Sequence, residues 1–105
     1  MSRYGLFGSL RAQPGRRDEL VALLREAVDL VADAPGCEVY IVSTSPDDAD
    51  AVWIMELWAS EADHDAVLRD DRIRQLIERA RPLIAGMGDR VVLEPLAGKP
   101  LSRTS

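Results

Sequence analysis

Residues 52–58, VWIMELW, constrain this chain more than any other stretch. Side chains alternate across a strand, so Val52, Ile54 and Trp58 fall on one face and Trp53, Met55 and Leu57 on the other. Only Glu56 breaks the apolar character, on the face of Ile54 and Trp58. Residues 37–43 behave similarly, with Val39 and Ile41 opposed to Tyr40 and Val42. A sheet with helices on one side normally alternates apolar and polar residues, because its other face is wet. These strands need cover on both faces, and the chain has no spare helix to supply the second. Large exposed apolar patches are rare on soluble monomers. A second copy is the simplest cover, and a homodimer with sheets packed face to face is expected.

The rest of the chain supplies one layer of helices. Tyr4 to Ala12 reads as a strand, ended by the turn pair Pro14-Gly15. From about Arg16 to Asp33, Leu20, Leu23, Leu24, Ala27 and Val31 repeat with helical spacing on one stripe. Pro35 stops that helix and Gly36 suits a left-handed cap. Strands follow at Cys37–Ser43 and Ala51–Trp58, separated by the polar turn TSPDDADA. Ser60, with Asp63 three residues on, forms a box-like cap for a short helix from Glu61 to about Arg69. Another helix begins near Asp71, with Ile73, Leu76, Ile77 and Ala80 on its stripe, and Pro82 ends or kinks it. Gly86 and Gly88 loosen the next turn, and RVVLEPL, residues 90–96, reads as a short fourth strand. The order strand, helix, strand, strand, helix, strand predicts an α+β ferredoxin-like fold, a split βαβ arrangement with a four-stranded antiparallel sheet. One domain over 1–98 and a flexible tail over 99–105 are expected.

Composition narrows the function. A net charge of −5 argues against nucleic acid or an anionic membrane surface as the main partner, since both require a positive field. Cys37 is the only cysteine, which leaves no intrachain disulfide and no cysteine-based metal site. The opening MSRYGLFGSL is too short and polar for a signal peptide, and no apolar run is long enough to span a bilayer, so a cytoplasmic location is expected. One histidine and no cysteine pair leave only carboxylates as further metal ligands, so no metal site is expected, and PDDAD reads as a solvated turn.

Four stretches, in order, resemble the antibiotic biosynthesis monooxygenase family, small dimeric α/β-barrel proteins. PGRRDELVALL resembles the family's opening of its first helix, and APGCEVYIV its Pro-Gly-Cys approach to a strand. MELWASEADHDAVL is similar to its Glu-x-Trp strand end and short helix. ARPLIAGMGDRVVLEPLAGKPL is similar to the final portion of one branch. The resemblance implies a dimeric α/β barrel and, as the leading reading, a monooxygenase that oxidises a quinol, polyphenol or aromatic polyketide-like molecule with O2 and no cofactor. Two alternatives stay open: a non-catalytic dimeric module that binds a small molecule, and, less favoured, a haem-degrading enzyme in which His64 would ligate iron. The chain contains no asparagine. Several members of the resembled family place one in the pocket to orient substrate or oxygen.

Candidate site residues follow from both sources. His64 shares a helix side with Val67 and Leu68, which aims the imidazole at a cavity between helix and sheet. A neutral imidazole can take a proton from a phenol, the step the resemblance requires, so His64 is the candidate catalytic base. The resemblance makes Trp58 a cavity wall and a donor to a substrate oxygen, with core aromatic as the structural alternative. Tyr40 and Arg81 are candidate stabilisers of a developing oxyanion. Glu56 is costly in an apolar strand unless paired or protonated. An ion pair with an arginine, Arg81 or Arg90, is the favoured reading, and a proton acceptor the other. Trp53 is expected in dimer or core packing, and Cys37 as a buried small residue at a strand start and not a nucleophile.

Overall fold

The computed structural model describes residues 2–99. Residues 100–105 of the expected tail lie outside it. The elements are β1 (Tyr4–Ala12), α1 (Arg17–Val31), β2 (Cys37–Ser45), β3 (Asp48–Trp58), α2 (Glu61–Val67), α3 (Asp71–Ala80), a 3-10 turn (Arg81–Leu83) and β4 (Ile84–Leu93). The four strands form one antiparallel sheet in the order β2-β3-β1-β4. This is the α+β ferredoxin-like arrangement that the element order predicts.

The helices form where capping and periodicity agree. Leu20, Leu23, Leu24, Ala27 and Val31 of α1 are all buried, as their spacing requires. The α2 start is capped by Ser60, whose Oγ accepts from the Asp63 amide at 3.2 Å. Asp70 caps α3 by accepting from the Arg72 amide at 2.8 Å. On α3, Ile73, Leu76 and Ala80 are buried, but Ile77 is 38% exposed and sits at the rim of a cavity. Gly36 has φ +81°, and a Cβ there would collide with the Asp63 carboxylate. Both facts exclude a side chain from the turn that joins α1 to β2.

Several boundaries differ from the sequence expectation: α1 ends at Val31, before Asp33, and β2 runs on from Ser43 to Ser45. The short helix stops at Val67, not Arg69. β3 starts at Asp48, within the supposed polar turn, because Arg11 of the neighbouring β1 pairs with both oxygens of Asp48, at 2.8 and 3.2 Å. The largest change is β4, which begins at Ile84 and runs through Gly86 and Gly88. The 3-10 turn built on Pro82 ends α3 and delivers the chain straight into pairing with β1. That pairing is irregular between Gly8 and Leu10 and again between Arg11 and Ala12. At the first irregularity Ser9 Oγ accepts from the Asp89 amide at 3.0 Å, and the same oxygen occupies the space a Cβ on Gly88 would need. The glycines fit a bulged strand, not a loose turn.

The helices cover one face of the sheet. A core of Ala12, Leu20, Leu23, Leu24, Val52, Ala80 and Leu83 fills one end of that layer, and Tyr4, Val31, Trp58 and Ile73 fill the other. On the opposite face, pairing aligns Ile41, Met55, Phe7 and Val91 in one cross-strand row. Val39, Leu57, Gly5 and Leu93 form the next row. Ile41, Trp53, Met55, Val91 and Leu93 are between 37% and 47% exposed. Among the described residues, the second apolar face read from VWIMELW therefore has no helix over it and is only partly screened by the segment after β4.

Candidate active site between the helices and the sheet

A cavity of about 460 Å³ lies between the helical layer and the covered face of the sheet. α1 contributes Leu24, Ala27 and Val31 to its wall, and α3 contributes Ile73, Leu76 and Ile77. Ile54 comes from β3, and Ile84 and Met87 from β4. Such a wall follows from the same periodicity that builds the core: the buried stripes of α1 and α3 face the inward side of the strands but do not close over it everywhere. Three polar groups interrupt the apolar lining besides Arg81: Tyr40, Glu56 and His64.

His64 is 8% exposed and is delivered by the second turn of α2. Its ring sits against Tyr4, with centroids 4.9 Å apart and planes tilted by 41°. Trp58 meets it nearly edge-on, 5.9 Å away at 77°. Nδ1 lies 3.1 Å from Asp65 Oδ1, and Nε2 lies 3.9 Å from Glu56 Oε1. Glu56 in turn accepts a hydrogen bond from the Trp58 indole, Nε1 to Oε1 at 3.1 Å. Glu56 and Trp58 are two residues apart on β3, so their side chains share the inward face and the bond is a direct product of strand geometry.

Burial drives the electrostatics. Removal from water pushes the Glu56 carboxyl above its ordinary value, opposed by the Trp58 hydrogen bond, by His64 and by the more distant Arg90. Tyr40 pairs opposite Glu56 on the neighbouring strand. Its phenol is raised further above the usual range, first by burial and then by the Glu56 charge and Cys37. A phenol so raised stays protonated and can only donate or accept as the neutral group. Burial also raises the Cys37 thiol, which disfavours a thiolate nucleophile there.

The four residues singled out in the sequence are thus placed differently. His64 and Tyr40 both border the cavity. Trp58 is fully buried and lies behind the lining; its N–H is taken by Glu56, so it meets the cavity only through that carboxylate. Arg81 stands at the cavity rim with its guanidinium on Glu78, 3.0 Å away and largely exposed. Among the described residues of the single chain, Glu56 forms no ion pair with Arg81 or Arg90. Arg81 is committed to Glu78, and Arg90 contributes the weakest of the attractions on Glu56. Tyr4 and Asp65 were not foreseen. Tyr4 reads as an ordinary strand start, and Asp65 as one acid among several in EADHDAV. The adjacency of Asp65 to the lone histidine was the available signal.

Among the described residues no group of three or more His, Cys, Asp or Glu converges in a way that could hold a metal ion. No helix among them is long and apolar enough to cross a membrane. A second, shallower groove of about 570 Å³ runs outside, between α1 and β2, with Tyr40 as the shared wall. It is more open to solvent and contains neither His64 nor Glu56.

The chain is similar to several solved structures. A protein of Chloroflexus aurantiacus J-10-fl, itself assigned to the antibiotic biosynthesis monooxygenases, is 40% identical, with 96% of this chain and 100% of that one aligned and a TM-score of 0.88. A protein of Caulobacter crescentus CB15 with the same assignment is 23% identical over 91% of this chain and 92% of that one, with a TM-score of 0.84. One from Mycobacterium tuberculosis is 20% identical over 93% and 99%, with a TM-score of 0.81. The last two likenesses speak to the fold alone. No curated protein matches significantly. The sequence profile of the antibiotic biosynthesis monooxygenases matches residues 3–79, which carry β1 through α3 and with them His64, Glu56, Trp58 and Tyr40. This chain belongs to the antibiotic biosynthesis monooxygenase family.

Proposed function

We propose that the protein is a cofactor-independent monooxygenase that oxidises a quinol, polyphenol or related aromatic molecule with O2. The observation that carries this reading is the apolar cavity whose polar side is the His64–Glu56 pair. A flat aromatic body fits between the stripes of α1 and α3 and the inward residues of the sheet, and the lining excludes water around a reacting anion. His64 accepts a proton from a ring hydroxyl through Nε2. The resulting electron-rich anion reduces dioxygen at a ring carbon. One oxygen atom stays in the product as a new carbonyl or hydroxyl, and the other leaves as water. A hydroquinone and one O2 thus give a hydroxyquinone and one water, and the substrate supplies all four electrons. Tyr40, protonated throughout, donates a hydrogen bond to the oxyanion. Trp58 acts by holding Glu56, and Arg81 stands where an anionic substituent would pass.

A homodimer is part of the proposal. The bare rows centred on Phe7, Met55 and Leu57 are of the kind that a second copy covers in a face-to-face packing. We place the protein in a reducing cytoplasm, the setting that suits its single thiol.

Oxygen uptake with hydroquinones and anthrone-type phenols, in metal-free buffer without flavin, tests the reaction. We expect turnover by the wild type and a loss of about 10²–10⁴-fold in His64→Ala. Equal rates for the two proteins would remove His64 as the base. No uptake above buffer would reject the reaction for those substrates. The absence of asparagine favours a second reading, a binding module that holds a small aromatic molecule without transforming it. Saturable binding of the same phenols without oxygen uptake is its signature. A haem titration with no Soret shift would eliminate the third.

A further inference from the structure

The two nitrogens of His64 have different surroundings. The 3.1 Å from Nδ1 to Asp65 Oδ1 is a hydrogen-bond distance, whereas the 3.9 Å from Nε2 to Glu56 Oε1 is not. A carboxylate only accepts, so the bond at Nδ1 requires the ring proton to be there. A neutral imidazole carries a single N–H, which leaves Nε2 with a free lone pair on the cavity side. Glu56 does not reverse this choice, because its Oε1, which accepts from Trp58, lies beyond hydrogen-bond distance of Nε2. The ring is held against turning by Tyr4 on one side and the Trp58 edge on the other. Asp65 itself is half-exposed and does not line the cavity, so it reaches the chemistry only through the imidazole.

We propose that Asp65 is a positioning residue: it holds His64 in the Nδ1–H form and so makes Nε2 the acceptor that meets a substrate hydroxyl. The inference deepens the functional reading above and rests on it for the word substrate. The opposite tautomer would point an N–H into the cavity and leave no lone pair for the proton to be removed. When Nε2 takes a proton, the Nδ1–H bond to Asp65 becomes charge-assisted and persists through the step. The ligand must then present a hydroxyl donor at this end of the cavity. The corresponding methyl ether would leave Nε2 without a donor.

The chain has a single histidine, so its imidazole gives one set of resonances. Long-range proton–nitrogen correlation on the full-length, nitrogen-15-labelled protein, at about pH 8 where an imidazole is ordinarily neutral, reads the tautomer directly. We expect a protonated Nδ1 and a bare Nε2 in the wild type. Asp65→Ala should move the ring toward the Nε2–H form. Asp65→Asn, whose amide oxygen still accepts, should keep the wild-type pattern. In oxygen uptake Asp65→Ala should lose at least about tenfold in kcat with KM nearly unchanged, and Asp65→Asn should recover most of it. An Nε2–H wild type, or an unchanged nitrogen pattern in Asp65→Ala, would overturn the proposal. The nitrogen spectrum needs no turnover. A protein that shows the expected tautomers but consumes no oxygen would therefore sink the monooxygenase reading and leave the positioning role standing.

Discussion

The two faces of this sheet carry similar amounts of apolar side chain and meet opposite fates. The inward face, with Val52, Ile54 and Trp58, lies beneath α1 and α3, and Val52 and Trp58 are fully buried. The outward face, with Trp53, Met55 and Ile41, has no helix or strand above its centre among the described residues. Only the segment after β4 approaches it, where Pro95 lies on Gly5. Composition therefore does not separate the covered face from the open one here; what the described chain places above each face does. The inward face also holds the only carboxylate of the pattern, Glu56, and beside it the cavity. The imperfect closure of two helices over four strands leaves that cavity, whereas on the outward face a groove of about 500 Å³ runs between the apolar rows and the segment after β4 and contains neither His64 nor Tyr40.

Breaking each face should have distinct consequences. The largest effect on stability is expected from Trp58→Ala, which removes a fully buried indole and the donor to Glu56. A loss of about 3–5 kcal/mol in denaturant unfolding is expected. A loss below about 1 kcal/mol would mean that this end of the core is far less packed than its burial indicates.

Trp53→Glu probes the other face. It puts a charge on the outward face at the border of the apolar rows, where Trp53 stands between Ser9 and Ser43, and should convert a dimer to an 11.6 kDa monomer in sedimentation. The helix-covered core should keep its fold, because Trp53 contributes nothing to that layer. A wild-type protein that sediments as a monomer at micromolar concentration would end the dimer reading. A Trp53→Glu variant that unfolds outright would show that the two faces are not independent.

The smallest effect is the pH-dependent one from Glu56→Gln. Burial raises the Glu56 pKa in the folded chain, so the folded state binds that proton more tightly than the unfolded state. The stability this confers is fully present below the unfolded value and is lost as pH rises through the folded one. Glu56→Gln should therefore melt higher than wild type at about pH 7, and the gap should close toward about pH 4. The amide oxygen still accepts from Trp58. A gap of the same size at both pH values would assign the effect to packing and not to ionisation.

Much of this was legible in the chain itself. The α1 stripe from Leu20 to Val31 lies where periodicity put it, because a 3.6-residue repeat has one way to bury five aliphatic residues on one side. The Ser60 cap and the left-handed Gly36 followed from local chemistry. His64 was recognisable as the residue to follow, since it is the sole imidazole and sits one turn into a short amphipathic helix. β4 was misjudged because glycines mark both turns and bulges, and only the pairing with Ser9 distinguishes them. The partner of Glu56 was equally hidden. Arg81 and Arg90 were the charged candidates in the sequence, but Trp58 stood two residues away on the same face and Arg81 had Glu78 three residues before it on the helix.

The sequence by itself determined the order of elements, the stripes that pack, and the apolar character of both sheet faces. Those properties depend on period and composition, which a linear pattern records. Only the tertiary structure decided that Glu56 answers to an indole, that Tyr40 and His64 border one cavity, and that Asp65 takes the outer nitrogen of the imidazole. Those are distances of a few ångströms between side chains on different elements, or on one element viewed from its packed side. They depend on strand register and on the way two helices fail to close over a sheet.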